Sequence, residues 1–279
     1  MKTLSSFLIA IALLLQVVFT GAQGQVWQAR HGMTSSAFQT QFSEFVDQGY
    51  RLTHVDGYGI NNAPLYAAIW EKTSGPAWVA KHGLTDPQYQ TQFDTLIKSG
   101  YRPTKVSGYT VSGSARYAAI WEKSSGPAWA ARHGLTSAQY QSAFNTYISQ
   151  GYRLKHISGY AVGTSARYAA IWEKSSGPAF AARHGLTVEK FQKEFDALVA
   201  KGYRLLLVDG YTVNGTNLYA GIWEKSTGPA WESRGELTPA QFQTAFNQFV
   251  KQGYKLVSVS GYGTTTARYA AIWSKKKSL

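Results

Sequence analysis

The sequence contains no cysteine, so no disulfide can hold the fold together and its stability must come from packing. Acidic residues are scarce, with 15 Asp and Glu against 28 Lys and Arg and a formal charge of +13. This balance favours anionic partners such as acidic glycans or cell-wall polymers. The basic residues are spread along the chain, however, apart from Lys275-Lys276-Lys277 at the end. Diffuse charge is the usual composition of a solvated surface, and nucleic acid is disfavoured as a partner. Long apolar runs are missing as well. Beyond the N-terminus nothing approaches the roughly 20 apolar residues that a membrane span requires.

The one apolar run, Phe7 to Phe19, follows Lys2 and precedes Ala22-Gln23-Gly24. Together they read as a secretory signal peptide over residues 1–24, cut after Gly24 or Ala22. An uncleaved anchor is the alternative, and the run is short for one. The expectation is a secreted, extracellular protein, whose charge falls to +12 once Lys2 is removed.

What fills the remaining chain is a repeat. Gly-Tyr pairs recur at Gly49-Tyr50, Gly100-Tyr101, Gly151-Tyr152, Gly202-Tyr203 and Gly253-Tyr254, every 51 residues. A second series runs through Gly57-Tyr58, Gly108-Tyr109, Gly159-Tyr160, Gly210-Tyr211 and Gly261-Tyr262 at the same step. The units are expected at 25–72, 73–123, 124–174, 175–225 and 226–279.

Each unit opens with a Trp-x-Ala-Arg-His-Gly-Leu-Thr-like stretch such as Trp129 to Thr136, read as a loop. Its Thr is a helix N-cap, reinforced by Gln139 and Gln241 as capping-box partners and by Pro239 at the first helical position. Phe38, Phe42, Phe45 and Val46, and their copies Tyr140, Phe144, Tyr147 and Ile148, then recur at helical spacing. They predict a helix of about 14 residues stopped at Gly49 and its equivalents. A β-hairpin follows, for example Tyr152–Ile157 and Tyr168–Lys174 around Val162-Gly163-Thr164-Ser165. Both faces of the second strand are apolar, so its own helix covers one and a neighbouring unit must cover the other. The prediction is an α+β fold of five tandem αββ repeats stacked as a superhelical solenoid. A closed ring is the alternative; the open form is preferred because neither end carries a segment that completes the other.

The Gly-Pro-Ala-Trp/Phe…Arg-His-Gly-Leu-Thr opening, the Gly-Tyr-Arg-Leu strand start and the Tyr-Ala-Ala-Ile-Trp-Glu-Lys close, best seen at Gly126 to Lys174, resemble a known family. This is the bacterial tandem repeat domain, which also forms the N-terminal region of secreted fungal polyglycine hydrolases. The resemblance implies a repeat module. In those proteases it accompanies a separate β-lactamase-like serine hydrolase domain acting on plant chitinases. The nucleophile motif of that domain, Ser-x-x-Lys, is matched only by Ser274 to Lys277, a product of the lysine run. The family's chemistry therefore does not carry over, and the chain is expected not to be an enzyme.

Residues that could recognise a ligand lie in the unit openings: Trp27, Arg30 and His31; Trp78, Lys81 and His82; Trp129, Arg132 and His133; Arg183 and His184. An aromatic ring beside hydrogen-bonding groups can hold a sugar's apolar face. The simpler reading of the histidines is hydrogen bonding at the unit junctions, and that of the closing Trp70, Trp121, Trp172, Trp223 and Trp273 is packing. No nucleophile keeps a fixed spacing to the histidines, and one His per 51 residues is not zinc-ligand spacing. No metal or cofactor is implied. The hairpin turns vary most, and Asn214-Gly215-Thr216 is the one glycosylation sequon. The fifth unit carries Arg234-Gly235-Glu236 and Ser274 where the others have Arg/Lys-His-Gly and Glu, which resembles a cap and limits any histidine-dependent site to four copies. The expected function is a secreted, lectin-like module with several sites for an extracellular glycan or cell-wall polymer. A secreted protein partner and a self-associating structural scaffold are the alternatives.

Overall fold

The structure, a computed structural model, describes residues 26–275. The leader expected at 1–24 and the end of the basic tail lie outside the described residues. Five αββ units follow one another as the periodicity predicts, each a helix of 13 residues and a hairpin, for example Ser137–Ser149, Tyr152–Val162 and Ser165–Lys174.

The local signals act as expected. The Thr136 hydroxyl accepts from the Gln139 backbone N–H at 3.2 Å, and the Gln139 side chain returns to the Thr136 N–H at 2.9 Å. Gly151 ends that helix at φ 81°, in the left-handed region, and its N–H donates to the Ile148 carbonyl.

One expectation is corrected. The opening stretch is not a loop but a third strand, such as Trp129–Leu135, which pairs antiparallel with the second hairpin strand. That strand therefore lies in the centre of a three-stranded sheet, between an outer opening strand and an inner strand, in all five units. The backbone groups on its second edge need partners, and the opening stretch supplies them. A bulge at the Arg-His-Gly triplet, where Gly134 has φ 69°, breaks the two-residue alternation that marks a strand.

The central strand is covered on both faces. Tyr168, Ala169, Ala170, Ile171 and Trp172 are all buried. Trp172 packs on Tyr140 and Tyr147 of its own helix, while Ala169 and Ile171 join Tyr89, Val106 and Trp121 of the preceding repeat. The tryptophans at this position are fully buried in every unit, and their indole N–H groups have no hydrogen-bond partner among the described residues. They are held by packing alone, as the sequence suggests.

The ends of the array meet. Repeats 1 and 5 share one apolar core, in which Tyr58, Ala67 and Ile69 pack with Phe242, Val259 and Trp273. The Asn61 N–H donates to the Thr264 carbonyl at 2.7 Å, His54 Nε2 lies 2.7 Å from the Val259 carbonyl, and Lys255 pairs with Glu71. Of the two arrangements compatible with the sequence, the structure adopts the ring rather than the preferred open form. The five sheets stay separate and form no barrel; it is the solenoid of units that closes. No terminal segment is needed, because the free face of repeat 1 matches repeat 5 as every unit matches its neighbour.

The second Gly-Tyr series makes this joint. The tyrosine ring of each unit lies flat against the glycine of the unit before it: a Cβ on Gly57 would stand 2.5 Å from the Tyr109 ring, and one on Gly261 would stand 2.4 Å from the Tyr58 ring. The hydroxyl of that tyrosine pairs with the central-strand tyrosine of the preceding unit, as in Tyr66–Tyr109 (2.6 Å), Tyr117–Tyr160 (2.7 Å), Tyr168–Tyr211 (2.8 Å) and, across the closure, Tyr269–Tyr58 (2.6 Å). It also accepts from the bulge backbone of its own unit, for example from Gly134 N–H to Tyr160. Only a residue without a side chain admits the ring, and only tyrosine reaches both partners.

Candidate functional site

The Trp and His side chains of the opening strands lie at the junctions between units. His82 packs edge-on against Phe38 and Tyr66, His133 against Tyr89 and Tyr117, His184 against Tyr140 and Tyr168, and His31 against Phe242 and Tyr269. In each case the partners belong to the preceding repeat, repeat 5 standing before repeat 1. The tryptophans do the same one turn further along the helix, with Trp27 on Phe246, Trp78 on Phe42 and Trp129 on Phe93.

Three of the four histidines lie against polar side chains of the preceding helix rather than loop backbone, while His82 makes only ring contacts. His184 Nε2 is 2.9 Å from Ser137 Oγ, His31 Nε2 is 3.2 Å from Gln243 Oε1, and His133 Nε2 is 3.5 Å from Asp86 Oδ1. Burial pushes the pKa of all of them below the ordinary histidine value, although Asp86 and Asp94 oppose the effect at His133. The imidazoles are therefore neutral at neutral pH and act as junction hydrogen-bonding groups.

The arginines beside these histidines also engage groups of their own units. Arg30 and Arg132 turn back over Phe45 and Tyr147 of their own helices, at 5.1 and 6.0 Å from the ring centroids. Arg183 pairs with Glu194 at 2.8 Å, and Lys81 is exposed. The structure thus places the candidate residues along one type of junction but does not gather them into a single constellation. Between repeats 2 and 3 this junction opens into a cleft of about 250 Å³ lined by Tyr89, Gln90, Phe93, Ala131, Arg132 and His133. Among the described residues no group of three or more His, Asp or Glu side chains is placed to hold a metal ion.

The polyglycine hydrolase-like structural repeat matches the chain five times in tandem, at residues 24–73, 75–124, 126–175, 177–226 and 228–276. The chain belongs to this family. The matched segments are structural repeats, and together they span residues 24–276.

Within this family member, the ring axis is a second concave feature that the sequence reading missed. A narrow depression of about 40 Å³ is lined by the second Gly-Tyr series of all five units. One polar residue from each inner strand stands beside it: Asp56, Ser107, Ser158, Asp209 and Ser260. Each accepts the N–H of the glycine in the unit before: Gly57 to Ser107 (2.9 Å), Gly108 to Ser158 (3.1 Å), Gly159 to Asp209 (2.7 Å), Gly210 to Ser260 (3.0 Å) and Gly261 to Asp56 (2.7 Å). The circle has no end. Burial raises the pKa of both aspartates, that of Asp56 to about 8, against the opposing pull of their backbone hydrogen bonds; at Asp209 the charge of Asp56 adds to the rise. The signal available in the sequence was a polar residue before every Gly-Tyr, between apolar neighbours.

Proposed function

We propose that this ring is an exported, non-catalytic recognition module that binds extracellular or cell-wall carbohydrate at its unit junctions. The observation that supports this most is the cleft between repeats 2 and 3. It sets the partly exposed ring of Phe93, with the buried Tyr89 at its floor, beside the amide of Gln90 and the polar groups of Arg132 and His133. Apolar ring faces flanked by hydrogen-bonding groups suit a pyranose, which is apolar on one face and hydroxylated at its edge. The same kinds of residue meet where His31, His82 and His184 pack on the preceding helix, so weak sites can add as avidity on a repetitive polymer. The net charge of +13 favours an acidic one, and the apolar leader at 1–24 supports export.

The test is retention on immobilised acidic and neutral polysaccharides, with a glycan array in parallel. Wild type is expected to be retained, and a Gln90→Ala/Phe93→Ser variant to be retained several-fold less as one of several sites is lost. Failure to bind any glycan would remove this reading. A growing filament finds no free unit face in a closed ring, and so draws least support.

A further inference from the structure

We infer that the end of the ring at which the inner strands begin is a binding surface for an anionic lipid bilayer. The inference is independent of the junction clefts and starts from where the fold puts the charge.

Every sheet has the same polarity. The opening and inner strands begin where the central strand ends, as with Trp27 and Arg51, both opposite Glu71. The helix finishes at this edge too: Gly49 N–H donates to the Val46 carbonyl, and the inner strand starts two residues later. Like joints close the ring, Lys255 with Glu71 repeating Arg51 with Glu122, so the five edges stand at one height around the axis. They form one end of the ring, and the hairpin turns and helix starts form the other.

Basic residues that are dispersed along the sequence collect at the first end. Arg51, Arg102, Arg153, Arg204 and Lys255 start the inner strands, with Lys105 and Lys155 close behind. Lys72, Lys123, Lys174, Lys225 and Lys275 stand at the ends of the central strands, and Lys98, Lys201 and Lys251 at the ends of helices. Counting the last helical turns and the strand residues of this edge, fifteen Lys and Arg meet seven Asp and Glu, while the rest of residues 26–275 holds ten against eight. The positive surplus therefore lies almost wholly on one end. Its acids are already engaged, Glu122, Glu173 and Glu224 by arginines and Glu71 by Lys255. What remains is a crown of exposed lysines, of which Lys72, Lys123, Lys174 and Lys275 lie 5.0 to 6.0 Å from the ring centroids of Tyr50, Tyr101, Tyr152 and Tyr254.

Two features favour a bilayer over a linear polyanion. The crown stands at one height on a rigid ring, so all of it meets a flat anionic surface at once, whereas a single polymer chain crosses only part of it. Exposed aliphatic side chains also stand among the lysines: Leu206 and Val257 at the inner-strand bulges, 47% and 42% exposed, and Val46 and Val199 in the last turns of their helices. Each alone is ordinary. Beside lysines and tyrosines on one plane they match the boundary between headgroups and acyl chains, while a hydroxylated polymer gives an aliphatic group nothing to bury against.

The experiment is co-sedimentation of the protein with vesicles of phosphatidylcholine alone or with about one-third phosphatidylserine. The protein is expected to sediment with the anionic vesicles only and to be released as salt rises. Lys72→Gln/Lys123→Gln leaves the arginine–glutamate pairs intact and should weaken binding roughly tenfold. Lys190→Gln/Lys193→Gln removes the same charge from exposed positions in the first half of the fourth helix, and should change binding by less than about twofold. Leu206→Ser/Val257→Ser should weaken it several-fold while leaving retention on dextran sulfate unchanged. Equal binding to the neutral vesicles, equal losses from the two lysine pairs, or vesicle binding untouched by the serine pair would each overturn the inference. So would no sedimentation with the anionic vesicles, with or without retention on dextran sulfate. The vesicle result does not bear on the glycan test, whose variant lies at Gln90 and Phe93.

Discussion

Replacing Gly159 by alanine is expected to destabilise the ring by about 3 kcal/mol, the upper part of the range for overpacking a dense interface. The added Cβ would stand 2.4 Å from Cε1 of the Tyr211 ring, and that ring has nowhere to go. Its hydroxyl is held by Tyr168 at 2.8 Å and by the Gly185 N–H at 3.1 Å. Moving the ring would break both bonds and pull Gly159 N–H from Asp209. Gly163 is the control. It lies in the neighbouring turn at φ 57° with nothing within 4 Å of an added Cβ, so alanine there should cost only about 1 kcal/mol of backbone strain. Urea unfolding of both variants checks the difference, and equal losses would contradict the packing role given to the glycine.

The second large effect is on pH dependence. Burial raises the pKa of Asp56 to about 8, and it raises that of Asp209 in the same direction. The folded state thus holds protons that the unfolded state has released. This contribution is complete below the unfolded carboxylate value near 4 and is lost as pH rises towards 8. Two buried histidines of the inner strands, His54 and His156, oppose it. Burial and the nearby Lys105 lower the pKa of His54 to about 4, and they lower that of the equally buried His156 in the same direction. Their contribution is complete above the unfolded value of about 6.5 and is lost as pH falls through that window. Between about 4 and 6.5 the two slopes oppose, while above about 6.5 only the aspartate term remains. Stability is therefore expected to fall from about pH 6.5 to 8 in wild type and to fall much less in Asp56→Asn/Asp209→Asn. Thermal melts across that range check it; an unchanged slope in the double variant would contradict the assignment.

Much of the unit was legible because its signals are local. Thr136 with Gln139 marks a helix start, Gly151 marks its end, and Tyr140, Phe144 and Tyr147 mark its buried face. The two-sided apolar strand around Trp172 also announced that a neighbour covers it. The opening strand was not legible, since its bulge at Arg132–Leu135 breaks the alternation and its sheet partner lies more than thirty residues away. Closure was hidden for a different reason. It depends on the angle between units, which a sequence of identical joints leaves undefined until the fifth unit meets the first.

The candidate site was legible in part. The histidines were placed correctly at unit junctions, but their partners, Ser137, Asp86 and Gln243, come from the preceding helix, where no sequence spacing points. The axial circle was overlooked because its residues are not identical. Asp56, Ser107, Ser158, Asp209 and Ser260 share only the ability to accept a backbone N–H.

The central claim, that five units close into a ring through ordinary unit-to-unit contacts, is tested most directly by zero-length carbodiimide cross-linking of the dilute protein. Lys255 of repeat 5 pairs with Glu71 of repeat 1, so the monomeric fraction should yield an amide between these two side chains, detected as a cross-linked peptide by mass spectrometry. If the monomer gave the cross-link from a control pair within a unit, such as Lys155 with Glu173, but none between Lys255 and Glu71, the array would be open and the account wrong.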